Sequence, residues 1–97
     1  MNKLPTVVNR RKSREDVYIG RGSKWGNPFP IQGRDTRRIV IEKYRRYLWE
    51  GIKAGKFSRS DFEALEGKRL GCFCKPHACH GDVIKSVCEN LDKVFKN

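Results

Sequence analysis

The first 71 of the 97 residues contain no cysteine, methionine occurs once, at position 1, and acidic residues are scarce: 11 Asp and Glu against 22 Lys and Arg. No stretch approaches the ~20 apolar residues of a membrane-spanning helix. The start, Met1-Asn2-Lys3-Leu4-Pro5, lacks the long apolar segment of a signal peptide. A cytoplasmic protein with no membrane association is therefore expected. Hydrophobic residues make up only 37% of the chain, which suffices for one thin core. With no internal repeat, low-complexity tract or splitting linker, the expectation is a single domain over 1–97.

The formal net charge of +11 attracts phosphates of any kind, so a phosphate-bearing small molecule or a nucleic acid is the natural partner class. The cations are spread, however, through Arg10, Arg11, Lys12 and Arg14, then Arg34, Arg37 and Arg38, then Lys43, Arg45 and Arg46. A solvated basic surface explains such a spread equally well. The four cysteines fall within 17 residues, Cys72 to Cys88. A disulfide-stapled domain spreads its cysteines to tie distant segments together. Clustering without a signal peptide points instead to a reducing compartment, with thiol chemistry or metal binding.

Thr6-Val7-Val8 and Val17-Tyr18-Ile19 are β-branched or aromatic runs and read as two strands. Gly20 to Pro30 holds three glycines and two prolines in eleven residues, a loop. Asp35 is the expected N-cap of a long helix over about 36–51. Val40, Tyr44, Tyr47 and Leu48 form its apolar face, and Gly51 and Gly55 end it. Ser60 with Glu63 matches a capping box and predicts a short helix over 61–65. Lys68 to Cys74 reads as a third strand, with Leu70, Cys72 and Cys74 on one face. A last helix, from Cys79 or Gly81 to Phe95, carries the stripe Val83, Ile84, Val87, Cys88, Leu91, Val94 and Phe95. The stripe explains Cys88 as a small buried apolar residue. The order predicts an α/β fold: a small sheet of about three strands flanked by helices, Rossmann-like in character.

The segment Cys72-Phe73-Cys74-Lys75-Pro76-His77-Ala78-Cys79-His80 packs three thiols and two imidazoles into nine residues. Three interpretations compete. Cys72, Cys74, Cys79 and His80 are the ligand types of a structural zinc site, although the spacing is C-x-C and C-H rather than the usual C-x₂₋₄-C. Cys79 at a helix start would instead be a reactive thiol, stabilised by the helix dipole, with His80 or His77 as acid/base partner, at a site for an anion or nucleotide. Gly81 would let that ligand approach the backbone. The third interpretation makes Cys72 and Cys74 core residues and leaves the two histidines poorly explained.

The loop Gly20-Arg21-Gly22-Ser23-Lys24-Trp25-Gly26-Asn27-Pro28-Phe29 suits phosphate binding through Arg21, Ser23 and Lys24. Trp25 offers a stacking face, and Asn27 a ligand bond or a loop-ordering bond. It lacks the P-loop pattern. The alternative is a rigid turn in which Trp25 and Phe29 plug the end of the core.

Val17 to Phe29, Tyr44-Arg45-Arg46-Tyr47-Leu48, Leu70 to Pro76 and Cys79-His80-Gly81-Asp82 together resemble domain-of-unknown-function family 4326, over about residues 6 to 95. The resemblance implies one compact intracellular domain of bacterial or phage origin and carries no activity with it. A fainter likeness to family 488 lies in the strand, the C-x-C pair and the Cys-His dipeptide, with Gly81 standing where that family tends to have arginine.

The leading expectation is a nucleotide-like or other phosphate-bearing ligand held between the glycine–tryptophan loop and the Cys79-His80 helix start. If those two segments follow parallel strands, they leave the sheet on the same side. Were the protein an enzyme, Cys79 would be the nucleophile and His80 or His77 the acid/base. Two alternatives belong to other classes: a zinc-stabilised nucleic-acid module with the helix Arg37 to Arg46 along the phosphates, and a phage protein that binds and modulates a host protein.

Overall fold

The computed structural model describes residues 4–12, 14–20, 22–29, 36–72 and 80–95. Three strands, β1 (Thr6–Asn9), β2 (Val17–Tyr18) and β3 (Arg69–Cys72), form a sheet in the order β1-β3-β2. Both pairings are parallel: Val7 and Val17 each stand opposite Leu70 of the central strand. Helices α1 (Arg37–Lys53) and α2 (Arg59–Glu63) connect β2 to β3, and α3 (His80–Glu89) and α4 (Leu91–Val94) follow β3. The α/β architecture expected from the sequence is therefore present.

A doubly wound sheet joins successive parallel strands through helices. Here β1 reaches β2 through residues 10–16, whose described part holds no helix. This connection is pinned to both ends of β3. Arg10 donates its backbone N–H to Cys72 at 2.9 Å, and Asp16 donates to Arg69 at 2.8 Å. The Asp16 carboxylate also accepts from the Arg69 backbone N–H at 2.8 Å. Glu15 lies over Gly71 so closely that a β-carbon there would meet its Cβ at 2.5 Å. Glycine at 71 is what allows the connection to cross the central strand.

The caps fall one or two residues from their expected places. α1 is capped by Thr36, whose hydroxyl accepts from the Ile39 N–H, rather than by Asp35. It runs through Gly51, which is buried against Phe57, and stops at Ala54. Gly55 follows at φ 81°, the left-handed position that a side chain would strain. α2 is capped by Ser58, not Ser60: Ser58 Oγ accepts from the Asp61 N–H and Asp61 accepts from the Ser58 N–H, a reciprocal box. The last helix is broken at Asn90, whose side chain donates to the Ser86 carbonyl at 2.8 Å and so competes with the helical ladder. The apolar stripe survives the break, since Val83, Ile84 and Leu91 are buried and Val87, Cys88 and Phe95 pack against the core.

That core is aromatic at one end. Trp25 stacks on Phe57 with centroids 5.3 Å apart and meets Phe62 edge-on at 5.0 Å. Phe62 also contacts Phe95 at 5.7 Å. Leu70 and Ile19 from the sheet side and Leu48 and Ile84 from the helices belong to the same buried cluster.

Candidate ligand site at the carboxyl edge of the sheet

Because all three strands run the same way, their carboxyl ends share one edge of the sheet. In open α/β sheets ligands collect beyond this edge. β2 leaves it through Ile19 and Gly20 into the glycine–tryptophan loop. β3 leaves it through Cys72, and the described chain resumes at His80, the first residue of α3. His80 is 7% exposed, and its Nε2 lies 2.6 Å from the Ile19 carbonyl oxygen. A carbonyl only accepts, which assigns the proton to Nε2 and, in the neutral ring, the lone pair to Nδ1. An N–H bonded to a backbone carbonyl is also how proteins orient histidines that ligate metals or exchange protons.

Tyr44 joins the loop to this histidine. Its hydroxyl donates to the Trp25 carbonyl at 2.8 Å in a buried bond. Its ring meets the His80 ring edge-to-face, with centroids 4.9 Å apart. The backbone of the loop, the middle of α1 and the start of α3 thus meet at one point. The sequence marks Tyr44 as part of an apolar stripe and of the motif Tyr44-Arg45-Arg46-Tyr47-Leu48, with no partner named for it. The signal that was there is its hydroxyl, which a buried tyrosine must satisfy.

The loop residues are engaged within the chain. Ser23 donates its hydroxyl to Gly20 at 2.6 Å, and Asn27 Oδ1 accepts from the Phe29 N–H at 2.9 Å, which orders the turn. Lys24 pairs with Asp61 at 2.8 Å and lies 5.5 Å from the centre of the Phe57 ring. The Lys24 ammonium, and after it the Ser58 N–H, hold the Asp61 carboxyl below its ordinary range. Trp25, 7% exposed, occupies the core, as in the rigid-turn alternative. Arg21 lies outside the described residues.

Cys74, His77 and Cys79 also lie outside them. Of the other two zinc candidates, Cys72 is 2% exposed within the core cluster, and His80 has Nε2 committed to Ile19, which leaves Nδ1 for a metal. Among the described residues no three His, Cys, Asp or Glu side chains gather as a metal site. The expected role of Gly81 needs correction. A β-carbon there would lie 2.8 Å from Ile19 Cδ1 and 2.9 Å from Val7 Cγ1, so the glycine admits the sheet, not a ligand.

Cys88 fits its expected inert role. Its sulfur lies 3.9 Å from the Phe62 carbonyl. Burial, helped by the charges of Glu66 and Glu89, pushes its thiol up to about 11. Since the thiolate is the reactive form, Cys88 and the buried Cys72 should resist alkylation in the native protein and react on unfolding. Peptide mapping after iodoacetamide treatment at neutral pH checks this, and native labelling of either would contradict the packing.

No helix among the described residues is long and apolar enough to cross a membrane. No solved structure matches the chain. It is 41% identical over 95 residues to the "uncharacterized 12.4 kDa protein in nrdA-td intergenic region" of Enterobacteria phage T4, covering 96% of this chain and 85% of that protein. The profile of the domain of unknown function DUF4326 matches residues 6–90, which include both motifs and all three strands. On that match and the phage relative, this small phage-type chain belongs to the DUF4326 family.

Proposed function

We propose that the chain binds a nucleotide-like or other phosphate-bearing small molecule at the carboxyl edge of its sheet, beside His80. The observation that carries this reading is the meeting of Ile19, Tyr44, the Trp25 backbone and His80 beyond parallel strand ends. Two motifs far apart in sequence are thereby tied to one place. The first turn of α3 offers backbone N–H groups and the positive end of the helix dipole. Asp82 in the same turn opposes an anion, so charge neutralisation falls to Arg21. Ser23, Lys24 and Asn27 shape the loop rather than grip the ligand, and Trp25 supports it from the core. A catalytic version of the site would use the same helix start, with Cys79 as nucleophile and His80 as acid/base.

The test is isothermal titration of the full chain with inorganic phosphate, ADP and ATP. Saturable binding of at least one of them is expected. His80→Gln, which keeps an N–H for the Ile19 carbonyl but removes the imidazole, should weaken it about tenfold, ~1.4 kcal/mol. Circular dichroism verifies that the variant is folded. Absence of binding at millimolar ligand, or binding indifferent to His80, would overturn the proposal.

A further inference from the structure

A surface groove is lined by residues of α1, α3 and α4, with Lys56 and with Phe29 from the far end of the glycine–tryptophan loop. Its lining includes the half-buried side chains of Ile52, Val87 and Val94 above the buried Leu48 and Val83, together with the rings of Phe29 and Tyr47. Trp49 also lines it and is 44% exposed, and Ile39 of the same helix is 42% exposed. Trp49 plays no part in the core cluster, although tryptophan is the largest apolar side chain the protein has to bury. Around the apolar surface stand Arg38, Lys43, Arg45, Arg46 and Lys56, against only Glu42 and Glu50. Glu42 is paired with Arg45 at 3.3 Å, and Glu50 with Lys53 at 3.7 Å. The groove therefore combines an apolar floor with a positive rim.

We infer that this groove docks an acidic amphipathic helix of another protein. Such a segment lays apolar side chains at i, i+3 or i+4 and i+7 into a groove of this kind, here against Trp49, Ile52 and Val87. Its carboxylates then meet the arginine-rich rim, which steers association and rejects basic partners. A second copy of this chain is disfavoured because each copy carries a net charge of +11. A polynucleotide satisfies the rim but not the floor. Bases stack on open flat rings, whereas two of the three rings in the lining are engaged already: Phe29 and Tyr47 meet edge-to-face at 6.0 Å and the Lys56 ammonium sits over Tyr47, and the rest of the floor is aliphatic. Exposed apolar surface rimmed by polar groups is the mark of a protein interface. The proposal is independent of the ligand site beside His80.

The experiment is selection of displayed helical peptides with randomised faces against the full chain. Enriched sequences should be acidic and carry helically spaced apolar residues. Their synthetic versions should shift the emission of Trp49 to the blue, and the shift should vanish in Trp49→Phe, where the buried Trp25 is the remaining fluorophore. Trp49→Ala and Arg46→Glu, both at exposed positions, should each weaken binding about tenfold or more, as for a central anchor and a charge partner. His80→Gln should leave it unchanged, which separates this result from the fate of the ligand site. No enrichment, enrichment without acidic bias, or peptides indifferent to Trp49 would overturn the inference. So would an oligothymidylate or an unstructured polyglutamate that binds as tightly with the same dependence on Trp49, since the first reassigns the surface to nucleic acid and the second reduces it to charge.

Discussion

Phe62→Ala is expected to lower stability by about 3–5 kcal/mol, the usual cost of emptying a buried phenylalanine site. Phe62 is fully buried and touches Trp25, Phe57 and Phe95 through ring contacts. The loss has two parts: the transfer energy of the ring, and the cavity left where stiff aromatic neighbours relax little. A domain of this size has about 5–15 kcal/mol in total. The variant should therefore unfold at much lower urea concentration, or fail to fold at 37 °C. Trp25 supplies a local readout, because its emission should move to the red as water reaches the cluster. Phe62→Leu, which refills part of the volume, should recover a large share of the loss. A midpoint for Phe62→Ala within error of the native protein would mean that the aromatic cluster is not the packed unit described.

Gly81→Val carries the second large effect, about 2–3 kcal/mol in the destabilising direction. The new β-carbon would stand 2.8 Å from Ile19 Cδ1 and 2.9 and 3.1 Å from the two Val7 γ-carbons. The tip of Ile19 can swing aside. Val7 cannot, because its branching leaves one stiff torsion and its backbone is held by pairing to Leu70. α3 must then back away from the sheet, which lengthens the His80–Ile19 bond. Ala at 81 is a milder case, where the gain in helix propensity of about 1 kcal/mol offsets part of the clash. Val7→Ala placed in the Gly81→Val background should restore more than half of the lost stability. Denaturant titration of the four proteins in this cycle measures it. Purely additive losses would locate the damage elsewhere.

The parts of this fold that the sequence announces are those fixed by periodicity. The stripes of α1 and α3 and the β-branched runs of β1 and β2 follow from which residues must leave water. The cap of α2 was ambiguous for a definite reason. Ser58-x-x-Asp61 and Ser60-x-x-Glu63 are overlapping capping boxes, and the first is used in a place where Asp61 also receives Lys24. Asn90 interrupts a stripe that continues on both sides of it, so apolar spacing gives no sign of the break. At the candidate site, His80 was legible as a residue but not in its setting. Its partner is the Ile19 backbone carbonyl, which any residue at 19 would supply. Gly81 was legible as a close approach, but sequence cannot say whether a ligand or the protein's own sheet does the approaching. Trp49 falls outside the stripe Val40, Tyr44, Tyr47 and Leu48, and apolar spacing assigns it no partner.

The strand order has a consequence for how the chain reaches its native state. Among the described residues β1 and β2 pair with β3 and not with each other. Neither N-terminal strand therefore has a template until the chain has closed a loop back to Leu70, from Val17 for β2 and from Val7 for β1, roughly 50–60 residues, at an entropic cost of ~4 kcal/mol. Once either strand has docked, the short connection between β1 and β2 holds the other near the opposite edge of β3, so the second pairing needs little further loop closure. Such non-local pairing slows folding relative to helical proteins of equal length. Until those strands dock, both edges of β3 stand unpaired, a template for other chains; afterwards they are covered and the edges of the sheet pass to β1 and β2.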